Sequence, residues 1–221
     1  TVLRDAMGEP TGIFVDATMG TISSLTPEFT DEDLDRALQL ALEEAAEMGL
    51  TGIHDAGVGM NTIERYKRFI DEDRFTVRMY AMVGGTGATF DALCNNHILD
   101  YGDHLTVRSV KLYLDGALGS RGAALLNEYT DDPGNKGLIR TSVEDFNGVV
   151  KQALDCGYQI NTHAIGDRAN RVLLEGYEAA GATPAGRHRD EHTQIVALED
   201  IPRFQKLGII ASMQPTHATS D

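Results

Sequence analysis

Apolar and polar residues follow two periods along this chain, one typical of strands and one typical of helices. The clearest strand pattern lies at 107–115, directly before a glycine-rich stretch. Period-two alternation predicts an apolar face of Val110, Leu112 and Leu114 and a polar face of Ser109, Lys111, Tyr113 and Asp115. This two-faced pattern is typical of a parallel barrel, where one strand face packs on helices and the other points into the interior. Chemistry in such barrels lies at the carboxyl ends of the strands.

The rest of the chain alternates between predicted strands and predicted helices. Strands are predicted at 50–56, 75–83, 107–115, 158–163, 188–194 and 208–214. Helices are predicted after the N-cap Thr30, around 63–69, at 90–99, after the N-cap Ser142, at 169–180 and at 198–207. Residues 1–29 are predicted to be irregular or to form short extended pieces. No linker interrupts the chain, so we expect one domain over residues 1–221.

Six consecutive strand–helix units fit either an open doubly wound sheet or most of an eight-stranded barrel. The nucleotide-binding form of the open sheet has no support, because no glycine-rich phosphate loop follows the first strand. The barrel is favoured because the later strands end in reactive side chains: Lys111 and Asp115, His163, His192, and Gln214. Six units are two short of closure. The predicted fold class is therefore α/β, an incomplete TIM-type barrel.

Two histidines end neighbouring predicted strands. Alternation places His163 on one face with Gln159 and Asn161, and places His192 on one face with His188 and Asp190. Imidazoles that converge from adjacent parallel strands are a good start for a divalent-metal site, since neutral imidazole is a preferred ligand of zinc. A lone histidine at a strand end is more often a hydrogen-bonded rim residue. A lone strand lysine such as Lys111 is more often part of an ion pair.

The segment from Asp115 to Arg140 is too long for a simple connection and is rich in glycine. Long loops in compact domains are usually functional or disordered. Arg121 in this loop is a candidate for contact with a carboxylate or carbonyl, with a surface salt bridge as the alternative. His217, after the last strand, could also reach a substrate. The remaining histidines are interpreted as structural or solvated: His54, His97 and His104.

Composition narrows the functional classes. A net charge of −15 leaves no basic surplus for phosphates, which argues against nucleic acid and against an anionic membrane surface as partners. No apolar run has the length of a membrane span. The two cysteines, Cys94 and Cys156, have no metal-type spacing, so disulfides are not needed and a reducing, cytoplasmic location is expected. The sequence opens at Thr1 without an initiator methionine, so a targeting segment could have been lost.

Four motifs, in order along the chain, resemble family 3 of the amidohydrolases. They are Val110–Ala123 together with Tyr129–Asn135, His163–Ala169, Arg187–His192 and Ser212–Asp221. The resembling branch includes exoenzyme regulatory proteins and N-substituted formamide deformylases. The likeness covers essentially the whole chain, including the opening Gly8–Gly12.

The resemblance implies a metal-dependent hydrolase on a distorted TIM barrel. In the family, metals are held by a His-x-His pair on strand one, a carboxylated lysine on strand four, histidines on strands five and six, and an aspartate on strand eight. Residue by residue, Lys111 matches the lysine and His163 and His192 match the two single histidines. A lysine carbamate offers anionic oxygens that can bridge two metals. The expected cofactor is one or two divalent ions, with zinc the first expectation.

The chain also departs from the family pattern, because these residues contain no His-x-His and no strand after Gln214 supplies the aspartate. The expectation is a piece covering about strands two to seven. The implied reaction is hydrolysis of an amide-type, non-peptide carbon–nitrogen bond in a small molecule through a metal-activated water. No catalytic proton-transfer residue is assigned here, and Asp115, Arg121 and His217 are the substrate-binding candidates. A homo-oligomer is possible, and a non-catalytic regulatory or binding protein on the same scaffold is the alternative.

Overall fold

The computed structural model describes residues 2–14 and 18–220. At the start, β1 (Val2–Arg4) and β2 (Pro10–Phe14) pair as an antiparallel hairpin, followed by the short helix α1 (Met19–Ser23). The turn of the hairpin is held by the Asp5 side chain, whose Oδ1 accepts hydrogen bonds from the backbone of Met7 and Glu9. Short extended pieces were expected here, whereas α1 was not.

A second sheet forms the body of the molecule. Its strands are β3 (Gly52–Val58), β4 (Arg78–Gly84), β5 (Ile98–Tyr101), β6 (Leu105–Tyr113), β7 (Gln159–Ala164), β8 (Arg189–His192) and β9 (Ile210–Ser212). Six of them are parallel, in the order β3-β4-β6-β7-β8-β9. The sheet curls into a half-barrel, consistent with an incomplete TIM barrel. The predicted fold class and the six parallel strands in sequence order are confirmed.

One predicted helix is wrong over part of its length. The helix expected at 90–99 is α4 (Ala88–Leu93), and it ends at Cys94. Asn95 then adopts a left-handed backbone with φ of 56°, which an α-helix cannot continue through. The chain re-forms as β5, which pairs antiparallel with β6. The strand that was not expected therefore adds a seventh member beside the parallel set.

The other main helices match the predicted pattern. They are α2 (Asp31–Glu47), α3 (Met60–Asp71), α5 (Val143–Asp155), α6 (Asp167–Ala179) and α7 (Ile201–Leu207), followed by a final turn, α8 (His217–Ser220). Thr30 caps α2: its hydroxyl accepts from the Asp33 backbone (3.2 Å), and the Asp33 carboxylate accepts from the Thr30 backbone (3.0 Å). Ser142 caps α5 by accepting from the Asp145 backbone (3.1 Å). Both N-caps were predicted.

The core lies between the outer face of the curled sheet and these helices. Apolar strand residues meet apolar helix residues there, and many of them have no solvent exposure: Val107, Val110 and Ile160 from the sheet, and Ile63, Phe69, Val150, Leu173 and Tyr177 from the helices. The helices therefore cover one face of the sheet. Within the described ranges, none of the helices has the length and apolarity to cross a membrane.

Cys94 and Cys156 form a disulfide, whereas the sequence analysis expected that no disulfide is needed. The two residues follow the ends of α4 and α5, and the fold brings these helix ends together with the Cα atoms 4.7 Å apart. Sequence separation gave no hint of this, because the cysteines are 62 positions apart and β5, β6 and the long loop lie between them. The expectation of a reducing compartment rested on the chain needing no disulfide, and the bond removes that support.

We predict that reducing this disulfide weakens the fold. Closing a loop of 62 residues should stabilise the native state by about 4 kcal/mol through the entropy of the unfolded chain. Urea unfolding with and without a phosphine reductant measures the difference. The Cys94→Ala, Cys156→Ala double variant should unfold like the reduced protein and show no further response to reductant. Two titratable thiols in the denatured but unreduced protein would contradict the bond itself.

Candidate metal centre

Lys111 lies at the end of β6 and is almost fully buried, with 4% exposure. Its Nζ sits 3.7 Å from the centre of the Tyr113 ring and donates to the Leu112 carbonyl (3.2 Å). Burial lowers the pKa of Lys111 to about 8, against the opposing charges of Glu191 and Asp190. A neutral amine is therefore accessible near neutral pH, and only a neutral amine can react with carbon dioxide to give a carbamate.

His163 ends β7 and His192 ends β8, and their rings meet edge to face. The ring centroids are 4.6 Å apart at an interplanar angle of 73°. His163 Nε2 lies 3.3 Å from Asp115 Oδ1. His192 Nδ1 lies 2.8 Å from the Gln214 amide oxygen, which can only accept, so Nδ1 carries the proton and Nε2 keeps its lone pair. The structure therefore brings together the two histidines that the sequence singled out.

The electrostatics around His192 favour its neutral form. Burial lowers its pKa, as do the nearby charges of His163 and Lys111, while Gln214 and Glu191 act in the opposite direction. A neutral imidazole is the form that ligates a metal. Lys111 lies near the histidine pair as well, because its Nζ contacts the Tyr113 ring, whose centroid is 5.6 Å from that of His163.

The backbone at His192 is left-handed, with φ of 85°, and Thr193 follows at 47°. Such values are uncommon outside glycine and concentrate at functional sites. They end the regular alternation of β8 at the residue whose ring contacts His163. Strand periodicity could not anticipate this turn of the side chain.

His188 lies on the other side of the sheet, against α6. Its ring centroid is 5.6 Å from that of Tyr177, and its Nδ1 accepts a hydrogen bond from the Ile160 backbone (3.1 Å). The predicted shared face for His188 and His192 is therefore wrong. Burial lowers the pKa of His188 to about 4, so the imidazole is neutral in the folded protein.

Asp115 is fully buried, and its carboxylate is occupied by the protein itself. It accepts hydrogen bonds from the backbone N–H groups of Ala124 (2.8 Å), Ile165 (3.0 Å) and Gly166 (2.8 Å), besides its contact with His163. A carboxylate with these partners is placed to orient His163 and to fix the surrounding backbone. The geometry favours this positioning role over the predicted contact with substrate.

The loop after β6 is tied to α6 by several further bonds. Ala124 accepts from the backbones of Arg168 (3.1 Å) and Ala169 (3.3 Å), and the Leu126 backbone donates to Asp167 (2.8 Å). Gly166 permits this approach, because a Cβ at that position would lie 2.0 Å from the Ala124 oxygen. The loop is therefore an ordered wall beside the histidines.

His217 and Arg121 occupy different surroundings. The His217 ring lies 6.3 Å from that of His192, and both residues line a cavity of about 260 Å³ together with Leu118 and Gln214. Arg121 lines a neighbouring cavity of about 540 Å³ and pairs with Asp131 (2.8 Å). The structure thus brings His217 to the histidine pair and gives Arg121 the salt bridge that was its alternative interpretation.

Sequence reasoning missed a polar cluster on the concave face of the sheet. Arg189 binds Glu191 (2.7 Å), Ser212 (2.8 Å) and His54 Nδ1 (2.8 Å). The available signal was the alternation of Arg189 and Glu191 on β8, which is in register with Asn161 and His163 on β7. This cluster supplies the Glu191 charge that acts on Lys111.

The donors present fit part of a divalent-metal site. Two imidazoles and a buried lysine side chain are the side chains of the proposed ligand set. Asn161, paired in register with Lys111, has both side-chain polar atoms buried without a partner, which is a mark of a missing water or ion. Residues 2–14 and 18–220 contain no group of three His, Cys, Asp or Glu that could hold an ion unaided. A complete site therefore requires further donors.

Comparison with known proteins finds similar sequences along the whole of this chain. A family model described as "Amidohydrolase family" matches residues 1–221. The chain is 32% identical to Protein LONG AFTER FAR-RED 3 of Arabidopsis thaliana and 28% identical to the putative amidohydrolase YtcJ of Bacillus subtilis (strain 168). Each alignment covers 100% of this chain, but 40% of the first relative and 42% of the second.

Among solved structures, an uncharacterized metal-dependent hydrolase from Pyrococcus furiosus has a similar fold. The TM-score is 0.81 at 26% identity, over 94% of this chain and 43% of that one. The chain therefore spans less than half the length of these proteins.

We predict that Gly166→Ala disrupts the wall formed by the loop after β6. The added methyl group would overlap the Ala124 oxygen, so unfolding free energy should fall by about 3 kcal/mol. The matched control is Gly148→Ala on the exposed side of α5, where no atom lies within 4 Å. That change should be neutral or stabilising by up to about 1 kcal/mol. Equal urea midpoints for the two variants would refute the packing role of Gly166.

We predict an acid-sensitive contribution to stability from His188. The unfolded imidazole, with the ordinary pKa of 6.5, binds a proton as pH falls, whereas the folded one resists until about pH 4. Stability is therefore present in full above pH 6.5 and is lost as pH falls toward 4. The loss from this residue between pH 7 and 5 should be on the order of 2 kcal/mol. Urea unfolding across this range should show a shallower pH slope for His188→Gln than for the unchanged protein, and equal slopes would contradict the prediction.

Proposed function

This chain belongs to the amidohydrolase family, and we propose that it forms part of a metal-dependent hydrolase acting on amide-type carbon–nitrogen bonds of small molecules. The observation that carries the proposal is the contact between the His163 and His192 rings at 4.6 Å, beside a buried lysine. Two histidines could also converge at the carboxyl ends of strands for a purely structural reason. In a family of hydrolases, however, metal binding accounts for both their position and their residue type. Family membership supports hydrolysis in general. That the hydrolysed bond is an amide-type carbon–nitrogen bond is the more specific part of the proposal.

Three residues would hold the metal: Lys111 as a carbamate, His163 and His192. Zinc is the proposed ion, as one or two per site, because imidazole nitrogen and carbamate oxygen suit it. When bound, such an ion lowers the pKa of water and polarises a carbonyl group. Donors outside this chain would complete the site, because the described residues contain no three-ligand group of the usual kinds.

The residues of this chain prepare the site in three ways. Gln214 holds His192 with Nε2 free, and Asp115 contacts His163 from the side of the loop. Burial keeps the pKa of Lys111 near 8, so that the amine can lose its proton and react with carbon dioxide. The Ala124 carbonyl accepts hydrogen bonds from the backbones of Arg168 and Ala169, which hold the loop against the start of α6.

The substrate contacts are also proposed. His217, in the cavity with His192, is the better placed candidate for contact with the substrate. Arg121 would have to leave Asp131 to take part. A cytoplasmic location and a homo-oligomer remain predictions, and the disulfide Cys94–Cys156 is an observation against the first.

A second candidate function is a regulatory or binding protein on the same scaffold. The observation in its favour is the Arabidopsis relative, whose name describes a response to light and no reaction. The two functions differ in what the metal ligands must do. A binding protein would tolerate the loss of a ligand as long as the fold survives.

The test uses a longer protein that contains this chain and the remaining strands. His163→Ala and His192→Ala should each reduce bound metal at least tenfold and lower hydrolysis of amide substrates by about a hundredfold or more. His97→Gln, which lies away from these strand ends, should leave both unchanged. Intact mass should show one added carbon dioxide, absent in Lys111→Ala. Full turnover in the histidine variants, or metal-free turnover, would refute the proposal.

We further predict that the 221-residue chain alone binds zinc weakly and does not hydrolyse amides. Without the other donors, Lys111 stays an amine whose protonated form repels a cation. Elemental analysis after dialysis should find well below one zinc per chain. Stoichiometric, tightly held zinc with a carboxylated Lys111 would contradict this and would mean that a second chain completes the site.

A further inference from the structure

Asn161 is a buried polar side chain that the rest of the site leaves unsatisfied. It lies in the middle of β7 with no solvent exposure, and neither its Nδ2 nor its Oδ1 has a hydrogen-bond partner. An unpaired buried donor or acceptor destabilises a fold, so such a group in a native protein calls for an explanation. Because this chain already closes the amide off from solvent, strands outside the chain have no path to it. Its partner therefore comes from the residues that surround it.

Four side chains adjoin Asn161 on the concave face of the sheet. Lys111 and Arg189 are its register partners on the two neighbouring strands, and Gln159 and His163 lie two positions away on β7. Gln159 bonds a tyrosine hydroxyl and a backbone carbonyl, Arg189 bonds a glutamate, a serine and a histidine, and His163 contacts a carboxylate. Among these four described neighbours, Lys111 is the one whose hydrogen bond goes to the main chain alone.

The Lys111 amine lies close to the sheet. Its Nζ donates to the Leu112 carbonyl at 3.2 Å, so the side chain folds back toward the backbone. This brings the amine to the depth that a short asparagine side chain reaches from the next strand. Lys111 also borders a cavity of about 690 Å³, which Gly84 and Tyr113 line as well. The cavity gives carbon dioxide access to the amine and leaves room for the carboxyl group that it adds.

A lysine carbamate matches the unpaired amide in a way that a protonated amine does not. When the carbamate forms, the Nζ lone pair attacks the carbon of carbon dioxide and an N–C bond forms. One carbon–oxygen π pair moves onto oxygen, and one N–H proton passes to water. The product presents an N–H donor beside an anionic oxygen, and a carboxamide presents the complementary edge. A protonated amine, in contrast, has no acceptor for Nδ2.

We infer that Asn161 is a positioning residue for the Lys111 carbamate. Oδ1 accepts from the carbamate Nζ–H, and Nδ2 donates to one carbamate oxygen in a bond that the negative charge strengthens. The other lone pairs of the carbamate stay free for metal. This inference rests on the proposed function, which makes Lys111 a carbamate, and adds what holds that group in place. The alternative occupant is a buried water, which would leave carbamate formation independent of Asn161.

The test measures the carbamate itself, in the longer protein and with zinc in excess. The protein is titrated with ¹³C-bicarbonate at fixed pH, and the carbamate is followed by ¹³C NMR through the signal that is absent in Lys111→Ala. Asn161→Leu keeps the shape of the side chain and removes both polar atoms. The bicarbonate concentration for half-maximal signal should rise at least about tenfold, as expected for lost hydrogen bonds to a charged group. Asn161→Asp, which replaces the donor with an anion, should raise it further.

The matched control is Gln159→Met, which removes a buried amide from the same face of β7. Because that amide already has partners, the change should leave the bicarbonate dependence unchanged and lower the urea midpoint of the 221-residue chain. Asn161→Leu should keep or raise the same midpoint, since it removes an unpaired amide.

Three results would overturn the inference. Equal bicarbonate dependence of the unchanged protein and Asn161→Leu would do so and leave the proposed function standing. Absence of the carbamate signal from the unchanged protein would overturn both. A urea midpoint lowered by Asn161→Leu as much as by Gln159→Met would make Asn161 a structural residue.

Discussion

The buried carboxylate of Asp115 is the interaction on which the candidate site depends. Taking a carboxylate out of water costs several kcal/mol unless hydrogen bonds replace its hydration. Three backbone N–H groups do so here, from Ala124 in the loop and from Ile165 and Gly166 at the start of α6. One side chain thus joins the end of β6, the loop and the end of β7. The orientation of His163 follows from this junction, because its ring contacts the same carboxylate.

Much of the fold could be predicted because it depends on local chemistry. The cap at Thr30 needs only a hydroxyl and an acidic residue three positions later, and the six parallel strands need only their apolar alternation. Two features of the fold could not be predicted from the sequence: the early end of α4 and the disulfide bond. The non-helical backbone of Cys94 (ψ of 122°), followed by the left-handed Asn95, ends α4 before its apolar pattern ends. The bond between Cys94 and Cys156 depends on two helix ends meeting in space, which no spacing along the chain encodes.

The sequence identified the candidate site residues better than it identified the directions of their side chains. Resemblance to a family pointed to Lys111, His163 and His192, and the structure places both histidines in contact. Strand periodicity failed at His192, because a positive φ turns its side chain away from the face that His188 keeps. Strand periodicity also could not show that the Asp115 carboxylate accepts hydrogen bonds from backbone N–H groups. Whether a polar residue faces a ligand or the protein is decided by the loops around it, whose paths alternation does not describe.

The contact between His54 and Arg189 has a consequence for how the barrel is assembled. These residues lie on β3 and β8, which are separated by three strands, and in a flat sheet they would be about 19 Å apart. Their side chains nevertheless meet at 2.8 Å. The hydrogen bond links two strands across the concave face of the sheet, and it thereby helps to fix how strongly this half of the sheet is curved. A strand that adds to either edge therefore meets a template that is already bent.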